Sequence, residues 1–292
     1  WASNATYAAF QYLLYGVFLF VGLFTSVATT MFAYAVDPQF ISGPTGLLNL
    51  QAVYQMWKFV RDFINIFFIL GLLFIAFAFV FQIDSYANSK TIIKLILAAL
   101  LVNFSFPIAR VIIDFANVPM YFFLQMILGD GGDASTTLAS SLGASNLEGI
   151  LLPQGSDSEL KSLLAAIIFL FIFNITLLVL AFQFLIRVIA LVILLVLSPI
   201  GFIGNDFAGI PGMKKYGGKW WDEFLNYCLF GPAAMFMLVL ATNFFAAISG
   251  SNQSDGVGNI ASATSIDKEL ISSMVLFFVP ITMLWFTMGV SK

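Results

Sequence analysis

Between Lys161 and Asp206 the only charged residue is Arg187. The stretch from Leu160 to Trp221 opens with about forty predominantly apolar residues, far more than one membrane crossing requires. It then passes Ser198-Pro199, enters a Gly-rich basic segment and closes on Trp220-Trp221. Roughly 20 apolar residues cross the ~30 Å of hydrocarbon in a bilayer. No turn residues interrupt the run where a hairpin could fold. At ~1.5 Å per residue it makes a helix of roughly 60 Å. The expectation is one long helix over about 160–200 that crosses the membrane and projects beyond it, or crosses at a steep tilt. A helix–hinge–helix broken near Asn174 is the less favoured reading.

Composition agrees. The chain is 61% hydrophobic and 9% charged, against about 25% charged residues in a soluble domain. The fold class is therefore all-α, a polytopic integral membrane protein forming a single transmembrane domain over 1–292. There is no histidine and one cysteine, Cys228. A catalytic zinc site of His and Cys, a Cys–His nucleophile pair and an intrachain disulfide are thereby excluded. No cofactor site is expected and the chain is not read as an enzyme. Cys228 lies in an apolar segment and is read as packing. The start at Trp1 with the polar stretch WASNAT suggests either a removed N-terminal segment such as a leader or simply an unresolved start.

Taken in order, Tyr7–Ala35 is a first span and Val36–Asn49, with Pro38, Gly43, Pro44 and Gly46, a loop. Gln51–Arg61 is amphipathic and expected at the interface, with Tyr54 and Trp57 as anchors. Phe63–Gln82 is the next span. Thr91–Leu128 is apolar but interrupted by Asn103, Pro107, Arg110, Asp114 and Pro119, so it crosses once as a kinked helix or turns near Pro107–Arg110 and crosses twice. The loop 129–158 is polar, acidic and free of Lys and Arg. Phe224–Ile248 and Leu270–Val290 are the last spans, separated by the loop 249–266. Six spans result from a single crossing at 91–128 and seven from a double one. Seven is the favoured count, because it places Lys58, Arg61 and Arg110 on the cytoplasmic side.

Lys214, Lys215 and Lys219 mark the segment 204–221 as a cytoplasmic loop by the positive-inside rule. The loops 129–158 and 249–266 then face the other side, and the C-terminus is cytoplasmic. The lysines are a positive-inside connector or a docking point for a cytoplasmic partner. Arg187 either lines a pore or subunit interface, or snorkels to the cytoplasmic headgroups. It lies some 27 positions beyond Leu160, roughly 40 Å along a helix axis, which favours the headgroups. Arg110 and Asp114 share a helix face and can pair, as a structural pair or as a conduction element. Asn103, Ser105 and Asn174 are mid-membrane polar groups that interhelical hydrogen bonding accounts for, with a substrate site or, for Asn103, a pore-facing role as the alternative. Ser198-Pro199 breaks the long helix, and Trp220 and Trp221 are read as an interfacial belt.

The order of these features resembles the TrbL-type family of polytopic inner-membrane subunits of type IV secretion and conjugation machines. The matching residues read RVIALVILLVLSPIGFIG, then KKYGGKWWDEFLNYCLFGPAAM, within Gln183 to Leu240. The positions that match are Arg187, Ser198, Pro199, Trp220 and Trp221. The resemblance implies a subunit of the bacterial inner membrane that forms a homo-oligomer with other secretion-machine subunits. It further implies that the subunit works beside a cytoplasmic ATPase and helps DNA or protein across the bilayer. Two alternatives remain: a solute transporter or ion channel using Arg110 and Asp114, and a non-conducting membrane scaffold.

Overall fold

The computed structural model describes residues 2–81, 89–128, 158–203 and 213–250, together with Thr282 and Trp285. Every regular element among them is helical. In chain order these are α1 (Ala2–Val36), α2 (Pro38–Ser42), a 3-10 turn (Leu47–Asn49), α3 (Gln51–Val80), α4 (Ser89–Asn103), α5 (Ser105–Leu128), α6 (Ser158–Val196), α7 (Ser198–Ile203) and α8 (Met213–Gly250). Five runs among the described residues are long and apolar enough to cross a membrane. The chain is thus a polytopic helical membrane protein. The predicted last span and the loop 249–266 lie almost wholly outside the described residues, as does the loop 129–158.

α6 is the long helix. It runs unbroken through Asn174 for 39 residues, because Leu177, Leu180, Ala181, Phe184, Val188, Leu191 and Leu195 keep one buried stripe at helical spacing. It ends at Leu197, whose N–H still bonds Ile193 O at 3.0 Å, and α7 begins at Ser198 with Pro199 in its first turn. A proline there loses no helical bond, since the first-turn N–H groups have no partner in any case.

The same device explains a departure from expectation at 91–128. The break falls at Phe104 rather than at Pro107–Arg110. Pro107 sits in the first turn of α5, where it is harmless. Helical bonds bracket the break, from Phe104 N–H to Leu100 O at 3.2 Å and from Ile108 N–H to Phe104 O at 3.1 Å. The chain therefore keeps its direction, and Ile92–Ile127 is one apolar run of 36 residues. The double crossing that the seven-span count required is replaced by a single kinked one.

Three further boundaries are corrected. The loop read at 36–49 contains α2 and the 3-10 turn. The interfacial segment and the span that follow it are one helix, α3, since Val53, Trp57, Ile64, Phe68, Ile75 and Ala78 form one buried stripe along its whole length. Within the expected cytoplasmic loop 204–221, residues 213–221 are the opening turns of α8. The adjacent glycines Gly217 and Gly218 disfavour helix by ~1 kcal/mol each, and burial of Trp220 and Phe224 just beyond them outweighs that.

The chain forms two compact units. The first comprises the described parts of Trp1–Asp37, Met120–Leu185 and Pro232–Lys292. Its packing centres on α1 and α6. Asn174, fully buried on α6, donates to Thr25 Oγ1 at 2.9 Å and to Val21 O at 3.3 Å. Phe32 meets Phe184 edge to face at 5.7 Å, and Trp285 donates to Thr176 Oγ1 at 3.2 Å. The second unit, Pro38–Pro119 and Ile186–Gly231, holds all the sequence-derived candidate residues.

Candidate functional site

Arg187 anchors the second unit. Its side chain is the largest fully buried one in the described chain. Nε donates to Tyr227 O at 2.9 Å, and Nη2 donates to Asn117 Oδ1 at 2.8 Å and, at 3.5 Å, to Cys228 O. Asn117, on α5, passes the network on through Nδ2 to Ser42 Oγ at 3.3 Å. One guanidinium thus ties α6 to α5 and α8, and through Asn117 to α2.

The sequence of α8 makes this possible. Pro232 lacks the N–H that would otherwise bond Cys228 O, four residues back. That carbonyl is left for the arginine. Gly231 provides the room. A Cβ there would lie 2.5 Å from Arg187 Cζ and 2.7 Å from Nη2, so only glycine lets the helix come this close. Gly231-Pro232 is therefore a receptor for a buried cation. The snorkelling expectation for Arg187 is corrected: none of its surface reaches solvent or headgroups, because backbone and amide oxygens within the chain satisfy it.

A second buried chain of hydrogen bonds joins the two proline-bearing helix breaks. Ser198 Oγ donates to Ser105 Oγ at 3.1 Å, and Trp57 Nε1 donates to the same oxygen at 3.0 Å. Ser105 opens α5 and Ser198 opens α7, so α3, α5 and α7 meet at one point.

Beside it lies an aromatic block. Trp220 stacks on Phe224 with centroids 4.7 Å apart and meets Trp221 edge to face at 5.0 Å. Trp221 meets Phe202 edge to face at 5.2 Å. Trp220 Nε1 donates to Leu194 O at 3.2 Å, a last-turn carbonyl of α6 that has no helical partner. Gly201 lies directly under the Trp220 indole, where a Cβ would overlap the ring. The interfacial-belt reading is thereby corrected for Trp220, which is 6% exposed and spends its N–H inside the fold.

The remaining candidates lie outward. Arg110 Nε donates to Asp114 Oδ2 at 3.1 Å on α5, with Asp114 half exposed. Asn103 and Asn65 exchange two amide hydrogen bonds of 3.3 Å between α4 and α3. Lys219 is exposed on α8. Lys214 and Lys215 lie on the first turn of that helix, and the stretch 204–212 before it is outside the described residues. Replacing Asn65 and Asn103 with leucine, singly and together, is expected to give a coupling of ~0.6 kcal/mol. The check is a double-mutant cycle on unfolding in mixed micelles, and additive effects would remove the clamp.

Among the described residues no three His, Cys, Asp or Glu side chains gather so as to hold a metal ion. The arrangement is a set of helix-locking polar contacts in an apolar shell. Its chemistry is that of holding helices in register. Sequence reasoning read Ser105 as an interhelical hydrogen-bonding group, which it is, and missed Ser42, Trp57, Asn117 and Gly231 as parts of the network. The signal for Gly231 was available in the Gly-Pro pair one helix away from a lone arginine. No family model, no curated protein and no solved structure matches the chain.

Proposed function

We propose that this chain is a channel or assembly subunit of a type IV secretion, conjugation-like machine in the bacterial inner membrane. It helps DNA or protein cross the bilayer as a homo-oligomer with a cytoplasmic C-terminus. The ATPase that drives transport is a separate cytoplasmic subunit. The observation that supports this best is where the five positions of the TrbL-type resemblance lie. Arg187, Ser198, Pro199 and Trp220 are all buried in the second unit, and Trp221 packs against Trp220 and Phe202 there. Those residue types at that spacing make the joints between helices, so the likeness rests on what builds the unit and not on incidental surface residues.

The outer surface fits a subunit role. α3 alone exposes Phe59, Phe63, Ile66, Phe67, Ile69 and Leu70, a face for lipid or a neighbouring helix. The transporter alternative rests on Arg110 and Asp114, and Asp114 turns half of its side chain outward rather than into the chain. The reading is tested by tagging the chain in its native cell and extracting the membranes in mild detergent. Copurification with a secretion ATPase and further membrane subunits is the expected result. Recovery of this chain with lipid alone would contradict it.

A further inference from the structure

We propose that Asn103, Arg110 and Asp114 form a hydrated stripe at membrane depth, and that in the assembled protein this stripe lines a water-filled path shared between copies of the chain. The inference rests on the secretion-channel reading above and names the face of the subunit that meets the lumen.

The depth follows from two helices. Ile92–Ile127 crosses once as 36 residues. Hydrocarbon takes ~20 of them, so the central stretch, about 100–119, holds all three side chains. α8 gives the same level. Arg187 bonds both Asn117 and the carbonyl of Tyr227, and Tyr227 lies near the middle of the apolar run Gly217–Ala241. Asp114 is one turn of α5 from Asn117, ~5 Å along the axis.

Asp114 does not fit hydrocarbon at that depth. Its side chain is 50% exposed. Oδ2 accepts from Arg110 Nε at 3.1 Å, and Oδ1 has no hydrogen bond among the described residues. A carboxylate held one methylene from the backbone cannot reach the headgroups as the long stems of lysine and arginine do. Intramembrane carboxylates face the protein interior or a water-filled cavity. Outward exposure removes the first, and water remains.

The outer surface of the helix separates polar from apolar residues. At ~100° per residue, Asn103, Arg110 and Asp114 fall within ~40° of one another. The next residue after each is apolar and strongly exposed: Phe104, Val111 and Phe115. These form a second stripe, turned by ~100° from the first. The helical bonds on either side of Phe104 keep both stripes continuous from α4 into α5. Asn65 carries the polar stripe onto α3 through its amide pair with Asn103. Two such stripes suit the wall of a pore, with water against one and lipid or a neighbouring copy against the other. Arg110 and Asp114 cancel in charge, so this wall offers hydrogen bonds without a fixed net charge.

The test places single cysteines on the two stripes of the full chain in lipid nanodiscs. It reads their modification by a membrane-impermeant, sulfonated thiosulfonate, with particle mass and shape measured on the same samples. Cys228, the one native cysteine, is buried, so the wild type sets the baseline. Thiols react as thiolates, which water favours and apolar surroundings suppress. Asn103→Cys and Asp114→Cys are each expected to react about tenfold faster than Val111→Cys and Phe115→Cys. Asn103→Cys reports even if Asp114→Cys assembles poorly. In ring-shaped particles, equally slow reaction on both stripes would overturn the proposal and leave the secretion reading standing, since protein or lipid then covers the polar stripe. Equally fast reaction on both would place this part of α5 outside the bilayer and also overturn it. Monomers with no lumen would overturn both the proposal and the secretion reading.

Discussion

Arg187→Met is expected to destabilise the folded chain by about 3–5 kcal/mol, more than any conservative surface change. Methionine fills much of the volume but donates nothing. Asn117 Oδ1 and the Cys228 carbonyl freed by Pro232 then stay buried without their donor, at about 1–3 kcal/mol for each unsatisfied group. Arg187→Lys should fall between, since an ammonium keeps the charge and loses the planar fork that reaches both helices. Asn117→Leu should cost less in the Arg187→Met background than in the wild type, by about 1–3 kcal/mol, because the two side chains share one bond. Reversible unfolding in detergent–dodecyl sulfate mixtures measures all four. Equal stability of the methionine variant and the wild type would show that the network does not hold α5, α6 and α8 together.

The second large effect lies in the aromatic block. Trp220→Ala is expected to cost about 3–5 kcal/mol, as removal of a large buried ring does, with the Leu194 carbonyl losing its donor as well. Gly201→Ala is expected to cost about 1–3 kcal/mol through overpacking against that ring. Combined, the two should cost less than their sum, because the hole left by the indole receives the new methyl group. Strict additivity would show that Gly201 and Trp220 do not touch as described. The same unfolding assay applies, and retained helicity by circular dichroism separates local loosening from failure to fold.

Much of the architecture was legible because hydrocarbon imposes a length. α1, the apolar part of α3 and the 39-residue α6 follow from runs of apolar residues. The end of α6 before Ser198-Pro199 was legible in the sequence, whereas the break at 91–128 was read at Pro107–Arg110, a few residues late. Pro107 and Pro199 fall in first turns, where their missing N–H costs nothing, so the breaks lie at Phe104 and Leu197, just before them. Pro232 is different. It stands inside α8 and frees a carbonyl that Arg187 then uses. Period and composition do not reveal such a pairing, since Arg187 and Cys228 lie 41 positions apart.

The candidate site shows the same division. Arg187 stood out as a lone charge, and its burial was consistent with the rule that intramembrane charges face protein. Its partners are ordinary: an asparagine, two backbone carbonyls and the space beside a glycine. Trp220 and Trp221 looked like belt residues because adjacent tryptophans at the end of a span usually are. What made Trp220 a core residue was Gly201 on α7, which lets the ring lie flat against the backbone. Such contacts arise only once the helices are in place.

The central claim, that this chain is a subunit of a membrane translocation assembly, is tested most directly by the mass and symmetry of the particle in lipid nanodiscs. Light scattering and low-resolution imaging of the purified chain give both. The account predicts a closed ring of several copies around a central opening. A monomer, or a two-fold dimer with no central opening, would contradict it and return Arg110 and Asp114 to consideration as a transport site.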